Sequence, residues 1–138
     1  MSSVSINILA VLVAAITGVI INSIWYLPNI FGKVTARLEG KKLSQDKLST
    51  LQVSQLIISN LIMAYVLAHF FSFAVASMGL SGNVTDGAMV GAWTWLGFIA
   101  TSHLSELHYN KQSFELWTIK TGQYLISMII MGVIITAL

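Results

Sequence analysis

The chain has 138 residues, 56% of them hydrophobic and only 9% charged, with a mean hydropathy of +0.80. Soluble domains carry about 25% charged residues, so this composition excludes an ordinary soluble domain and points to an integral membrane protein. The chain has no cysteine, which excludes disulfides, thiolate metal sites and cysteine nucleophiles, and its net charge of +2 is small.

The expected fold is all-α. It is a polytopic membrane protein with four transmembrane helices in one small bundle, at about 5–27, 51–80, 88–104 and 116–137, within a single domain 1–138. Helix one lacks the basic n-region of a signal peptide, and its apolar core exceeds the usual length of about 7–15 residues, so it reads as a retained span. Pro28 biases Leu27 away from the α region and marks its end. Ala14, Gly18, Asn22 and Trp25 fall on one face, a small-residue stripe ending in an amide.

The connection from Asn29 to Thr50 carries Lys33, Arg37, Lys41, Lys42 and Lys47. Phe31, Val34 and Leu38 recur at helical spacing, which predicts a short amphipathic helix on the membrane surface, broken at Gly40. Ser44 or Ser49 is placed to cap the next helix. Helix two contains Leu56 to Leu80, a run without Lys, Arg, Asp or Glu whose one ionisable side chain is His69. At about 1.5 Å per residue that run crosses the roughly 30 Å hydrocarbon core. Gln52, Gln55 and Ser59 line one stripe, and Tyr65, His69, Ser72 and Ala76 another.

Helix three carries the small-xxx-small pairs Gly87–Gly91 and Ala88–Ala92, and helix four places Gln123, Tyr124 and Ser127 beyond Trp117 and Lys120. Trp25, Tyr26, Trp93 and Trp117 read as interfacial belt anchors. With four spans, all seven Lys and Arg fall on one side of the membrane. The positive-inside rule makes that side cytoplasmic and puts both termini outside the cytoplasm, in a bacterial inner membrane. The positive charges therefore serve topology and contact with anionic lipid, and no nucleic acid is expected as a partner.

Trp25, Tyr26, Pro28, Phe31, Gly32 and Lys33 form a WYxPxxFGK element, and Trp95 to Phe98 read WLGF. Gly122, Tyr124, Met131 and Gly132 complete a pattern that resembles a family of small bacterial four-helix membrane proteins, catalogued as a domain of unknown function. The resemblance implies topology and no activity. The chain departs from that pattern at Lys120 and at the extra Gln123.

An ionisable side chain at membrane depth is a functional hypothesis by default, and His69 is the one present. Candidates for a pathway or for polar packing are Asn22, Tyr65, His69, Ser72, Gln123 and Tyr124. Candidates for helix contacts between copies are Ala14, Gly18, Gly87 and Gly91, which predict a homo-oligomer. The HLSELH segment offers His103, Glu106 and His108 as weak metal candidates. Zinc needs three or four convergent ligands, and His108 lies about 140° from His103 on a helix, so headgroup contact is the preferred reading. No metal and no cofactor is expected. The leading functional reading is a small oligomeric channel or transporter-like protein. The alternative is a non-catalytic accessory or structural membrane subunit, possible within a larger complex, and a membrane enzyme ranks third.

Overall fold

The computed structural model describes residues 5–43, 47–109 and 112–138, and these contain helices and connections but no strand. Helix α1 (Ile8–Trp25) opens at Asn7, whose side-chain oxygen accepts the Ala10 N–H. It stops ahead of Pro28, with Leu27 extended at φ −62° and ψ 146°. A π-helical turn (Pro28–Gly32) follows, closed by Gly32 N–H on Leu27 O at 2.9 Å. Gly32 is required there, because a Cβ would meet the carbonyl oxygens of Tyr26 and Leu27. Helix α2 (Lys33–Leu38) is short, and Gly40 (φ +69°) ends the segment as expected.

Helix α3 (Thr50–Met78) starts in a reciprocal cap. The Gln52 N–H donates to Ser49 Oγ at 3.2 Å, and the Ser49 N–H donates to Gln52 Oε1 at 2.9 Å. Ser44, the other capping candidate, lies outside the described residues, as do Asp46 and Lys111. Asn83 caps α4 (Val84–Thr94), which continues through a π-helical stretch (Trp95–Ala100) into α5 (Thr101–Tyr109). Helix three is therefore longer than the expected 88–104. The Asn83 cap starts it earlier, and the polar HLSELH segment stays helical at its far end. Helix α6 (Phe114–Ala137) begins at Ser113, whose Oγ accepts the Leu116 N–H at 3.1 Å.

Among the described residues, three helices are long and apolar enough to cross a membrane: Ile8–Trp25, Thr50–Met78 and Phe114–Ala137. Helix α6 is the hub, packed on α1 on one side and most tightly on α4 on the other. The α4–α6 crossing is backbone against backbone. A Cβ on Gly87 would strike the main chain of Gly132, and one on Gly91 would strike the Met128 carbonyl. On the other side, Val11, Ala14 and Ala15 of α1 meet Ala64, Leu67 and Ala68 of α3 and Met131 of α6.

This corrects the reading of the small residues as contacts between copies. Ala14, Gly18, Gly87 and Gly91 are buried inside one chain. Small side chains permit close helix approach, but they do not specify whether the approaching helix belongs to the same molecule. The outer ends of α1 and α6 meet as well, where Asn7 Nδ2 donates to Leu138 O at 3.2 Å. Helix α3 packs well on α1 but more loosely on α4 and α6, which leaves furrows along its flank.

Candidate functional site

Polar side chains gather at the end of the bundle where α1, α2, α5 and α6 converge. The Lys120 ammonium on α6 lies 3.0 Å from Glu39 Oε1, just past α2, and Lys41 approaches Glu39 Oε2 at 3.8 Å. Gln112 joins this pair to α5. With its amide oriented to satisfy both ends, it accepts from Lys120 Nζ at 3.2 Å and donates to Glu106 Oε2 at 2.9 Å. Glu106 Oε1 in turn lies 3.9 Å from His103 Nε2, and the His103 ring sits 6.2 Å from that of Tyr124. Glu39, Lys120, Gln112, Glu106 and His103 thus form a chain of polar contacts across four segments.

Two indoles brace the same end. Trp25 Nε1 donates to Ile119 O at 3.0 Å, and Trp95 Nε1 donates to Thr121 O at 2.7 Å, so both pin α6 by its main chain. Trp25 also packs on Phe31 with ring centroids 4.6 Å apart. It is a packing residue between helices rather than a free belt anchor, whereas Trp93 is exposed. Burial pushes the Tyr26 phenol up to about 12, and the nearby Tyr124 and Glu39 add to the effect.

The expected pathway residues do not come together. His69 donates through Nδ1 to Tyr65 O at 2.9 Å, and its ring stands edge-on to Tyr65 at 4.5 Å. Both lie on the outward side of α3, Tyr65 being 48% exposed, and Ser72 follows on that side. Gln123 is buried on α6, where Nε2 donates to Ser127 Oγ at 2.8 Å. Asn22 faces a different space, an open groove shared with Gln52, Gln55 and Ser59. Of the metal candidates, His103 and Glu106 are neighbours, while His108 is exposed and packs on Tyr109. Among the described residues, no three His, Asp or Glu side chains converge as a metal site would need.

A family described as protein of unknown function (DUF1761) matches residues 9–136. The chain belongs to that family. No curated protein and no solved structure matches it. The DUF1761 match takes in every helix just described save Ile8 at the start of α1 and Ala137 at the end of α6. The WLGF element lies in the π-helical stretch Trp95–Ala100, and the WYxPxxFGK element spans the other, Pro28–Gly32, with Trp25 ending α1 and Lys33 opening α2.

Three residues of importance carried no signal strong enough to single them out. Asn60 is buried, donates from Nδ2 to Leu56 O at 2.8 Å, and turns its Oδ1 toward Gly18. One amide within an apolar run has no periodic partner to reveal it. Glu39 looked like a loop charge, and Lys120 like a topology signal. Only the fold shows that they are partners.

Proposed function

We propose that this DUF1761 protein is a four-span integral membrane protein of the bacterial inner membrane, with residues 88–104 of the Val84–Tyr109 helical run as the fourth span. Both termini lie outside the cytoplasm, and the Glu39–Lys120–Glu106 end lies within it. The positive-inside rule supports this orientation, and the Asn7–Leu138 contact agrees with an even number of spans. The π-helical stretch divides the Val84–Tyr109 run into α4 and α5, of 11 and 9 residues, so helix length selects the other three.

Its function is that of a non-catalytic membrane subunit that assembles with further copies or with a larger complex. The observation that carries this reading is the disposition of the polar side chains. Outside the loop-end cluster and the Asn22 groove, the polar side chains at membrane depth among the described residues are used in local pairs, as in Gln123–Ser127, or face outward, as Tyr65 and His69 do. Side chains that faced one another across a shared interior would have favoured conduction by the single chain. Imidazole and phenol groups on an outward face at membrane depth favour a partner helix instead. Interhelical hydrogen bonds there average about 0.6 kcal/mol.

Reconstitution in liposomes tests both parts. Wild type is expected to pass no protons or cations between pH 5 and 8. Paired His69→Ala and Tyr65→Phe substitutions are expected to reduce cross-linked assembly in mild detergent. Flux that disappears in His69→Ala would establish the channel reading, with the pathway between copies.

A further inference from the structure

The loose flank of α3 holds a feature that the loop-end cluster does not use. A groove of about 680 Å³ has Asn22, Gln52, Gln55 and Ser59 among its lining residues. It adjoins a second groove of about 430 Å³ through their shared residues Ser59 and Ile62. The second groove is apolar along its length, walled by Met63, Val66, Leu67 and Phe70 of α3 and by Phe98 and Met128 opposite. Phe70 and Phe98 stack across its far end with centroids 5.9 Å apart and planes 13° from parallel. Together the grooves make one furrow, polar at the loop end and apolar beyond.

Its dimensions and chemistry fit one kind of molecule. From Ser59 to Phe70 the helix rises about 17 Å, a little over half the roughly 30 Å hydrocarbon core, which is the depth of one leaflet. Beside Leu48, Leu56, Ile58 and Ile62, the polar side chains at that end are amides and a hydroxyl, which carry hydrogen-bond donors and acceptors but no charge. Gln52 Oε1 is already used by the Ser49 N–H, so among the described residues Asn22, Gln55 and the Gln52 amide N–H₂ are the groups placed to recognise a ligand. The π-helical stretch sets Phe98 on the furrow wall, and π-helical turns recur at functional sites.

We propose that this furrow binds one long-chain lipid with an uncharged head bearing carbonyl or hydroxyl oxygens. The head lies against Asn22 and Gln55, and one chain runs along Val66 and Leu67 to the Phe70–Phe98 stack. The proposal rests on the four-span reading, which sets the furrow's polar end at the cytoplasmic leaflet.

The test uses the full chain in phosphatidylcholine vesicles, with diacylglycerol carrying a photoreactive diazirine in one acyl chain. Labelling is expected to saturate, to fall on the peptides containing Phe70, Phe98 and Met128, and to be displaced by unlabelled diacylglycerol. Val66→Trp fills the furrow and Gln55→Leu removes a head contact, and each is expected to weaken labelling by about tenfold. Ile16→Trp, on the exposed face of α1, is expected to leave it unchanged. Melting of each variant in detergent separates lost binding from lost folding. Displacement by a long-chain quinone but not by diacylglycerol supports the site and identifies its ligand as a quinone. Displacement by phosphatidylglycerol as strong as by diacylglycerol overturns the uncharged head. Labelling that never saturates and reaches the Ile16 face equally overturns the site, leaving annular lipid only. Cysteine labelling of the loops, independent of any lipid, shows whether the four-span reading itself has failed.

Discussion

A methyl group added at Gly87 has nowhere to go, because the atoms opposite are the main chain of Gly132. At Gly18 the obstacles are the ends of two side chains, Met131 Cε and the Asn60 amide, which can rotate away. At Gly97 nothing lies within 4 Å. Overpacking costs about 1–3 kcal/mol, while replacing helical glycine with alanine gains up to about 1 kcal/mol. Melting in detergent should therefore rank the alanine variants: Gly87→Ala lost most, Gly18→Ala intermediate, Gly97→Ala unchanged or stabilised. Equal losses at Gly87 and Gly97 would contradict the α4–α6 crossing. Tyr26 gives a second residue-scale expectation. Its phenol is raised from 10 to about 12, chiefly by burial, so the fold favours the protonated form. That contribution is full below pH 10 and is lost as pH rises through about 12. A phenolate absorbance titration should contain a phase near pH 12, and Tyr26→Phe should remove that phase.

Among the elements, the connections differ in kind from the helices they join. The Lys120–Glu39 pair ties the segment after α2 to α6, but both side chains are partly exposed, at 31% and 25%. Such pairs contribute about 0–1 kcal/mol and are screened by salt. Lys120→Met should lower the melting temperature slightly at low salt, and the difference should shrink in 1 M salt, where the Debye length is about 3 Å. The helical character of the chain was legible in the sequence, since an apolar run ending ahead of Pro28 and an uncharged one from Leu56 to Leu80 broken only by His69 leave few alternatives. The faces of α1 and α4 were legible as contact faces. Their partners were not, because spacing records that Gly87 meets something small and not that it meets Gly132. The π-helical stretch at Trp95 was also hidden, as WLGF reads equally well as α-helix. The loop-end cluster was invisible for another reason. Glu39, Gln112 and Lys120 lie on three segments, and no local pattern joins them.

For the whole molecule, the proposed threading makes a direct claim about access. Lys42 lies in the first connection and Thr85 in the opening turn of α4, and cysteine can replace either in a chain with no native cysteine. An impermeant thiol reagent on intact cells should label position 85 and spare position 42. The reverse pattern would invert the orientation, and labelling of both would remove a span.

The position of α6 at the hub also sets an order of events during synthesis. Gly87 and Gly91 reach the membrane well before the Met128–Gly132 surface that covers them, which follows roughly 40 residues later. At about 5–20 residues per second the ribosome needs a few seconds for that interval. Throughout it, the glycine face of α4 and part of the alanine face of α1 stand uncovered in lipid. A nascent chain halted before residue 114 keeps those faces open, and pulse-chase labelling should find it cleared by membrane proteases faster than the full chain. Insertion of α6 is therefore the step that covers the glycine face of α4 and joins it to the α1–α3 pair.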